Sequence, residues 1–202
     1  EARRSAQTAI YHIAHALLRW IAPILSFTAQ EAWEILKGTH TSNGNGYIFT
    51  EEWYEFPEVV LDDVSESDWQ AILNVKETVN KAYEIARTDK VINANLSADV
   101  TVFAPDGTVQ SLNKLGDELK FVFISSQASV KPFAEKPSDV TYTDEATDSN
   151  NQVAVVVKPA TGEKCIRCWH IREDIGINPA HPEICGRCAE NVEGQGEVRH
   201  YA

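Results

Sequence analysis

The 202-residue sequence contains no methionine, four cysteines, ten glycines and eight prolines. So few cysteines exclude a disulfide-dense miniature protein, and so little Gly and Pro exclude collagen-like repeats. The 43% hydrophobic content is that of a chain that folds. Long apolar runs are missing too. The longest, such as 121–124 (FVFI) and 153–157 (VAVVV), fall far short of the roughly 18 residues that span a bilayer, so no membrane association is expected. Positive charge is scarce: 18 Lys and Arg stand against 30 Asp and Glu, for a net charge of −12. That balance opposes non-specific attraction to phosphate backbones or anionic lipid, so any nucleic-acid contact must be local. Arg3 and Arg4 precede polar residues rather than an apolar stretch, which fits no export signal, and a cytoplasmic location is expected. The missing initiator and an opening that already reads as helix predict a segment of a longer protein. No Walker motif, dinucleotide fingerprint or nucleophile–base arrangement is present, and the segment by itself is expected to be non-catalytic.

Helical periodicity governs the first part of the chain. Ile10, Ile13, Leu17, Leu18 and Ile21 fall on one helical face, and Pro23 interrupts it. Thr28 with Glu31 has the pattern of a capping box, predicting a second helix from Ala29 to Leu36 before Gly38. Residues 39–64 read as a polar, then acidic, surface connection. Ser65 with Asp68 predicts another cap, opening a long helix to about Thr88 with Trp69, Ile72, Val75, Val79, Ala82 and Ala86 on one side. Beyond residue 90 the pattern changes. Stretches 99–104 (DVTVFA), 120–125 (KFVFIS) and 152–158 (QVAVVVK) are rich in strand formers, and 107–118 has a helical composition. The polar tract 138–150 reads as a loop. The expected class is α+β in three parts: helical residues 1–94, a small mixed α/β unit at 95–160, and a terminal unit at 161–202.

The terminal unit has too little oil for a core of its own. Leu, Ile, Val and Phe supply only seven of its 42 residues, a share at which a compact apolar centre is not expected. All four cysteines of the chain lie here, as Cys165-Ile-Arg-Cys168 and Cys185-Gly-Arg-Cys188. Two C-x2-C turns separated by 16 residues suit four thiolates around one zinc ion. Four sulfur ligands leave no open coordination position, so the zinc is expected to be structural. Two disulfides, four free thiols, or a mixed site using His170, His181 or His200 are the alternatives.

Arg167 and Arg187 occupy equivalent places in the two turns, with Trp169 directly after the first and Arg172 beyond it. A guanidinium beside an indole can hold a phosphate and stack an unpaired base, as in the reading of single-stranded RNA loops. Trp169 could equally cover the metal, with the arginines paired to Glu173 and Glu190 or neutralising thiolate. Other candidates read as structure: Gly44, Asn45 and Gly46 as a surface turn, His12 and His15 as partly exposed histidines, and the acids between Glu51 and Asp63 as a solvated connection.

Residues 17–36 (LLRWIAPILSFTAQEAWEIL), including Leu25-Ser26-Phe27-Thr28-Ala29, resemble the anticodon-binding helical domain of class I aminoacyl-tRNA synthetases of the isoleucine, valine, leucine and methionine group. The tail, with KCIRCWH at 164–170 and HPEICGRCAENVEGQGEVRHYA at 181–202, resembles the zinc-binding end of the bacterial isoleucyl-tRNA synthetases, as do FTEEWYE at 49–55 and VNKAYEIARTDKVI at 79–92. The resemblance covers essentially the whole chain. It departs at Asn93-Ala94-Asn95, where the family usually shows a glycine and then a serine, which puts a turn there in question. The resemblance implies an enzyme that joins isoleucine to its tRNA with ATP, the catalytic and editing domains lying upstream in the same chain and ATP not being bound here. It implies zinc on Cys165, Cys168, Cys185 and Cys188, isoleucine tRNA as partner through Arg167, Trp169 and Arg172 with Arg187 nearby, and a monomer. The competing readings are a DNA-binding four-cysteine finger protein and a zinc-stabilised protein-interaction module.

Overall fold

A computed structural model describes residues 2–38, 46–58, 63–144 and 152–201. Gly44 and Asn45, residues 59–62 of the acidic connection and residues 145–150 of the polar tract lie outside it. The described chain is α+β, as expected, and groups into two compact units, Glu1–Val60 and Leu61–Ala202.

In the first unit, helix α1 (Ala2–Ile21) stops just before Pro23, and α2 (Ser26–Lys37) follows. The box expected at Thr28 and Glu31 does not form. Helix α2 opens at Ser26 behind Leu25 with no side-chain cap; a backbone turn leads into it, Leu25 N–H bonding Ile21 C=O at 2.7 Å, and its first internal bond runs from Ala29 N–H to Leu25 C=O at 2.8 Å. Gly38, at φ 65°, ends α2 in the left-handed conformation that a residue without Cβ adopts freely, its N–H reaching the carbonyls of Glu34 and Ile35. The packed centre is Ala22, Ala29, Trp33 and Ile48, joined by Leu18 and Ile21. Small residues let the two helices approach closely, while Ile10, Ile13 and Leu17 of the apolar stripe are exposed. Beside this centre Arg19 binds Glu51 at 2.8 Å and lies 4.6 Å from the Trp33 ring. His15 is buried there, and its pKa is lowered by that burial and by the Arg19 charge.

The second unit is built on a long helix and a mixed sheet. Helix α3 (Glu66–Thr88) begins in the expected capping box: Ser65 Oγ accepts from Asp68 N–H, and Asp68 accepts from Ser65 N–H at 2.9 Å. Ile72, Val75, Val79, Ala82, Tyr83 and Ala86 form its buried side. The junction at 93–97 bends into a tight 3-10 turn at Asn95–Ser97, closed by Ser97 Oγ donating to Ala94 C=O at 2.7 Å.

The sheet order is β2-β1-β4-β3, with β1 (Ala98–Ala104) parallel to β2 (Gln127–Pro132) and antiparallel to β4 (Ala154–Pro159), and β3 (Tyr142–Thr143) antiparallel to β4. Parallel neighbours need a crossover, supplied by α4 (Asp106–Asn113) and the short α5 (Leu119–Phe123). Thus KFVFIS at 120–125 is not a strand. Leu112, Leu115, Leu119 and Phe123 are all buried, a helical spacing, and Ile124 at φ 58° reverses the chain into β2. Tyr83 Oη donates to Phe123 C=O at 3.1 Å, tying the crossover to α3.

Candidate metal centre

After β4 the chain turns at Gly162 into a small hairpin, β5 (Glu163–Lys164) paired antiparallel with β6 (Ile171–Arg172). Gly162 has φ 111°, and a Cβ there would sit 2.4 Å from the Arg172 carbonyl oxygen, so only glycine fits. The hairpin is held to the sheet by buried Ser126, whose Oγ accepts from Ile171 N–H at 2.6 Å and donates to Leu96 C=O at 2.5 Å. Its loop is the first Cys-x2-Cys turn, where Trp169 N–H bonds Cys165 C=O and Cys165 N–H bonds His170 C=O, both at 2.9 Å. The second turn starts helix α6 (Gly186–Glu193): Cys185 is its N-cap residue and Cys188 lies in its first turn, where the helix dipole favours a thiolate. Gly186 N–H bonds Asp174 Oδ2 at 3.1 Å.

These two turns bring all four sulfurs to one point. Their Sγ atoms lie within 4.8 Å of one another, and this is the cluster among the described residues able to hold a metal. Cys168 and Cys185 are 3.7 Å apart at Sγ, against about 2.05 Å for a disulfide, and all four cysteines are free. A tetrahedron with metal–sulfur bonds of about 2.3 Å has edges of roughly 3.8 Å, so the spacing suits a metal and not a sulfur–sulfur bond. The chemistry agrees. Burial opposes ionisation of Cys165, yet hydrogen bonds from the backbone at Cys168, Cys185 and Arg167 bring its thiol down to about 6. Burial raises Cys185 and pushes Cys188 up to about 12. Four thiols this close do not all ionise near neutrality unless a cation compensates them, which is what a structural metal ion supplies.

The histidines weighed for a mixed site stand elsewhere. His170 Nδ1 faces Cys168 C=O at 3.2 Å, His181 Nε2 meets Glu193 at 2.8 Å, and the His200 N–H bonds Glu118 at 2.8 Å. Around the sulfurs, Arg167 Nη1 donates to Cys188 Sγ at 3.6 Å, which raises the arginine's pKa. Arg172 pairs with Asp174 at 3.3 Å and Arg187 with Glu197 at 3.4 Å. Trp169 does not cover the sulfurs. It is 60% exposed, at φ 67°, with the Lys164 ammonium 5.1 Å from its ring.

Sequence reasoning missed how the tail is fastened. Both Glu118 carboxylate oxygens accept consecutive backbone amides, from His200 and Tyr201 at 2.8 Å each. No local pattern announces a contact between residues more than eighty positions apart. Among the described residues, no helix is long and apolar enough to cross a membrane.

Comparison with known proteins matches residues 1–102 to the anticodon-binding domain of tRNA ligase and residues 162–191 to a zinc finger found in FPG and IleRS. The chain is 58% identical to isoleucine–tRNA ligase of Psychrobacter arcticus over 99% of its own length and 21% of the relative's. It is 50% identical to isoleucine–tRNA ligase 1 of Pseudomonas fluorescens, covering 100% of this chain and 21% of that one, and 47% identical to isoleucine–tRNA ligase of Acinetobacter baylyi, covering 100% and 20%. The chain thus spans about a fifth of the length of the curated relatives it matches. The match over half of its residues settles the matter of family: the chain belongs to the anticodon-binding domains of tRNA ligases.

Proposed function

We propose that this chain is the tRNA-reading portion of an isoleucine–tRNA ligase, an enzyme that uses ATP to attach isoleucine to its tRNA. In this reading residues 1–94 contact the anticodon stem and loop, 95–160 form a connecting α/β unit, and 161–202 carry a structural zinc. Cys165, Cys168, Cys185 and Cys188 are its ligands, and Arg167, Trp169, Arg172 and Arg187 meet the RNA. ATP, the transfer chemistry and editing belong to other parts of the ligase, which acts as a monomer in the cytoplasm. Among the proposed contacts Trp169 is the best placed, since an exposed indole beside a lysine offers a base a face to stack on and a phosphate a counter-charge.

The observation that carries the reading is the gathering of four sulfurs at one point, inside a stretch matching a finger family, in a chain that also matches an anticodon-binding domain. Against a net charge of −12, binding depends on a few local contacts and falls with salt in proportion to the phosphates they neutralise. The test is a titration of the full chain with isoleucine tRNA, the same tRNA with a changed anticodon, and duplex DNA of equal charge at matched salt. A preference of about tenfold or more for the unaltered tRNA, equivalent to about 1.4 kcal/mol, is expected. Tighter binding to the duplex, or indifference to the anticodon, overturns the proposal in favour of a DNA-binding finger or a protein-docking module.

A further inference from the structure

Both sulfur-bearing turns and the last residues of the chain meet at one side chain of the α/β body. Phe121 lies on α5, between Leu119 and Phe123, which root that helix in the core. Its ring meets the ring of His170 edge-on at 5.9 Å, the guanidinium of Arg187 at 4.9 Å and that of Arg199 at 3.8 Å. His170 follows the first pair of cysteines, Arg187 stands inside the second, and Arg199 lies near the C-terminal end. Glu197 links the two arginines, at 3.4 Å from Arg187 and 3.1 Å from Arg199. With Lys120 of α5 also 5.3 Å from the ring, three cations and an imidazole around one aromatic ring form an attractive set, stronger where water is excluded, and both guanidiniums are mostly buried here. The hairpin is also tied to the body by Ile171 N–H to Ser126, and the last residues by the two hydrogen bonds to Glu118, but Phe121 is the side chain that meets both sulfur-bearing turns.

We infer that Phe121 is a positioning residue: it fixes the orientation of the four-cysteine turns on the α/β body and thereby aims the exposed Trp169 at the RNA. The inference rests on the tRNA-reading role proposed above. No sulfur ligand is involved, so the metal stays bound when Phe121 is truncated, and what is lost is orientation.

The experiment uses the full chain carrying Phe121→Ala, Phe121→Trp, Arg199→Ala or Trp169→Ala, with three readouts: metal per chain, amide exchange, and affinity for isoleucine tRNA. For Phe121→Ala, unchanged metal content is expected, with exchange about tenfold faster at 163–172 and 186–201, unchanged exchange in β1, and affinity lower by about tenfold. Phe121→Trp keeps an aromatic face and restores both. Arg199→Ala removes the nearest cation without disturbing the core, shifts both readouts the same way by a smaller factor, and decides the matter if Phe121→Ala does not fold. Unchanged exchange in the tail overturns the inference. So does faster exchange with full affinity in Phe121→Ala while Trp169→Ala binds weakly. If no form of the chain prefers isoleucine tRNA, the tRNA-reading role falls, and the exchange data still decide whether Phe121 holds the turns in place.

Discussion

The α/β body and the four-cysteine tail are continuous in the chain and fold around different materials. In the body, Val100, Val102, Leu112, Phe123 and Val155 are all but sealed from water against α3, each such side chain contributing about 1.5–3 kcal/mol. In the tail the buried centre is Cys165, Ile184, Cys185, Cys188 and Ala189. Three of those five are thiols, so most of what an apolar core does elsewhere falls to a metal ion there. The difference teaches where each region is vulnerable: the body to lost volume, the tail to lost metal.

The sharpest way to break the comparison is to remove the metal. Chelation, or Cys168→Ser, is expected to abolish amide protection across 163–193 while β1, β2 and β4 keep theirs, since structural zinc in finger peptides contributes about 10 kcal/mol or more of apparent binding energy. A tail that stays protected without metal would show that its apolar residues suffice. The converse change, Leu112→Ala, should destabilise the body by about 2–5 kcal/mol in urea unfolding and leave one metal per folded chain. Gly162→Ala tests the join between the regions. Its Cβ would run into the Arg172 carbonyl from a backbone at φ 111°, and a cost of about 1–3 kcal/mol is expected, read as weaker metal affinity with the body's unfolding midpoint unchanged.

The smallest expected effect belongs to the cap of α3. Lys114, at 2.6 Å, followed by Ser65 and Ser111, holds the Asp68 carboxyl well below the usual carboxylate range. The folded state therefore binds that proton less readily than the unfolded chain does. The associated stability is present in full at neutral pH and is lost progressively as the pH falls from about 4 towards the depressed folded value. Ser65→Ala should cost about 1 kcal/mol at pH 7 and flatten the acid dependence, followed by exchange of α3 amides so that acid release of the metal does not obscure it.

Legibility followed the range of the interactions involved. The two Cys-x2-Cys turns and the Ser65–Asp68 cap are short-range devices whose spacing nearly dictates their geometry, and both appear in the structure where the sequence placed them. The stretch 120–125 misled because Phe, Val, Phe and Ile in a row favour a strand locally, whereas the buried spacing that makes it helical starts outside it, at Leu112. The true strand, Gln127–Pro132, has a single ladder partner and alternates only weakly, with Ala128 and Val130 turned to the core, so nothing marked it. On α1 the apolar stripe divides: Leu18 and Ile21 join the packed side beside Ala16, His15 and Arg19, while Ile10, Ile13 and Leu17 are exposed, because period alone does not say what a face packs against. The tail's fastening to Glu118 and Phe121 was out of reach, because it joins residues whose proximity only the completed fold creates.

Trp169 occupies a backbone conformation in which a glycine would rest without strain and a bulky residue does not. A laboratory selection for heat resistance alone would therefore favour trading the indole away, and under the proposed tRNA-reading role the hardier chains it returned would be poorer ligands for RNA. On that proposal, durability and recognition pull in opposite directions at this one position.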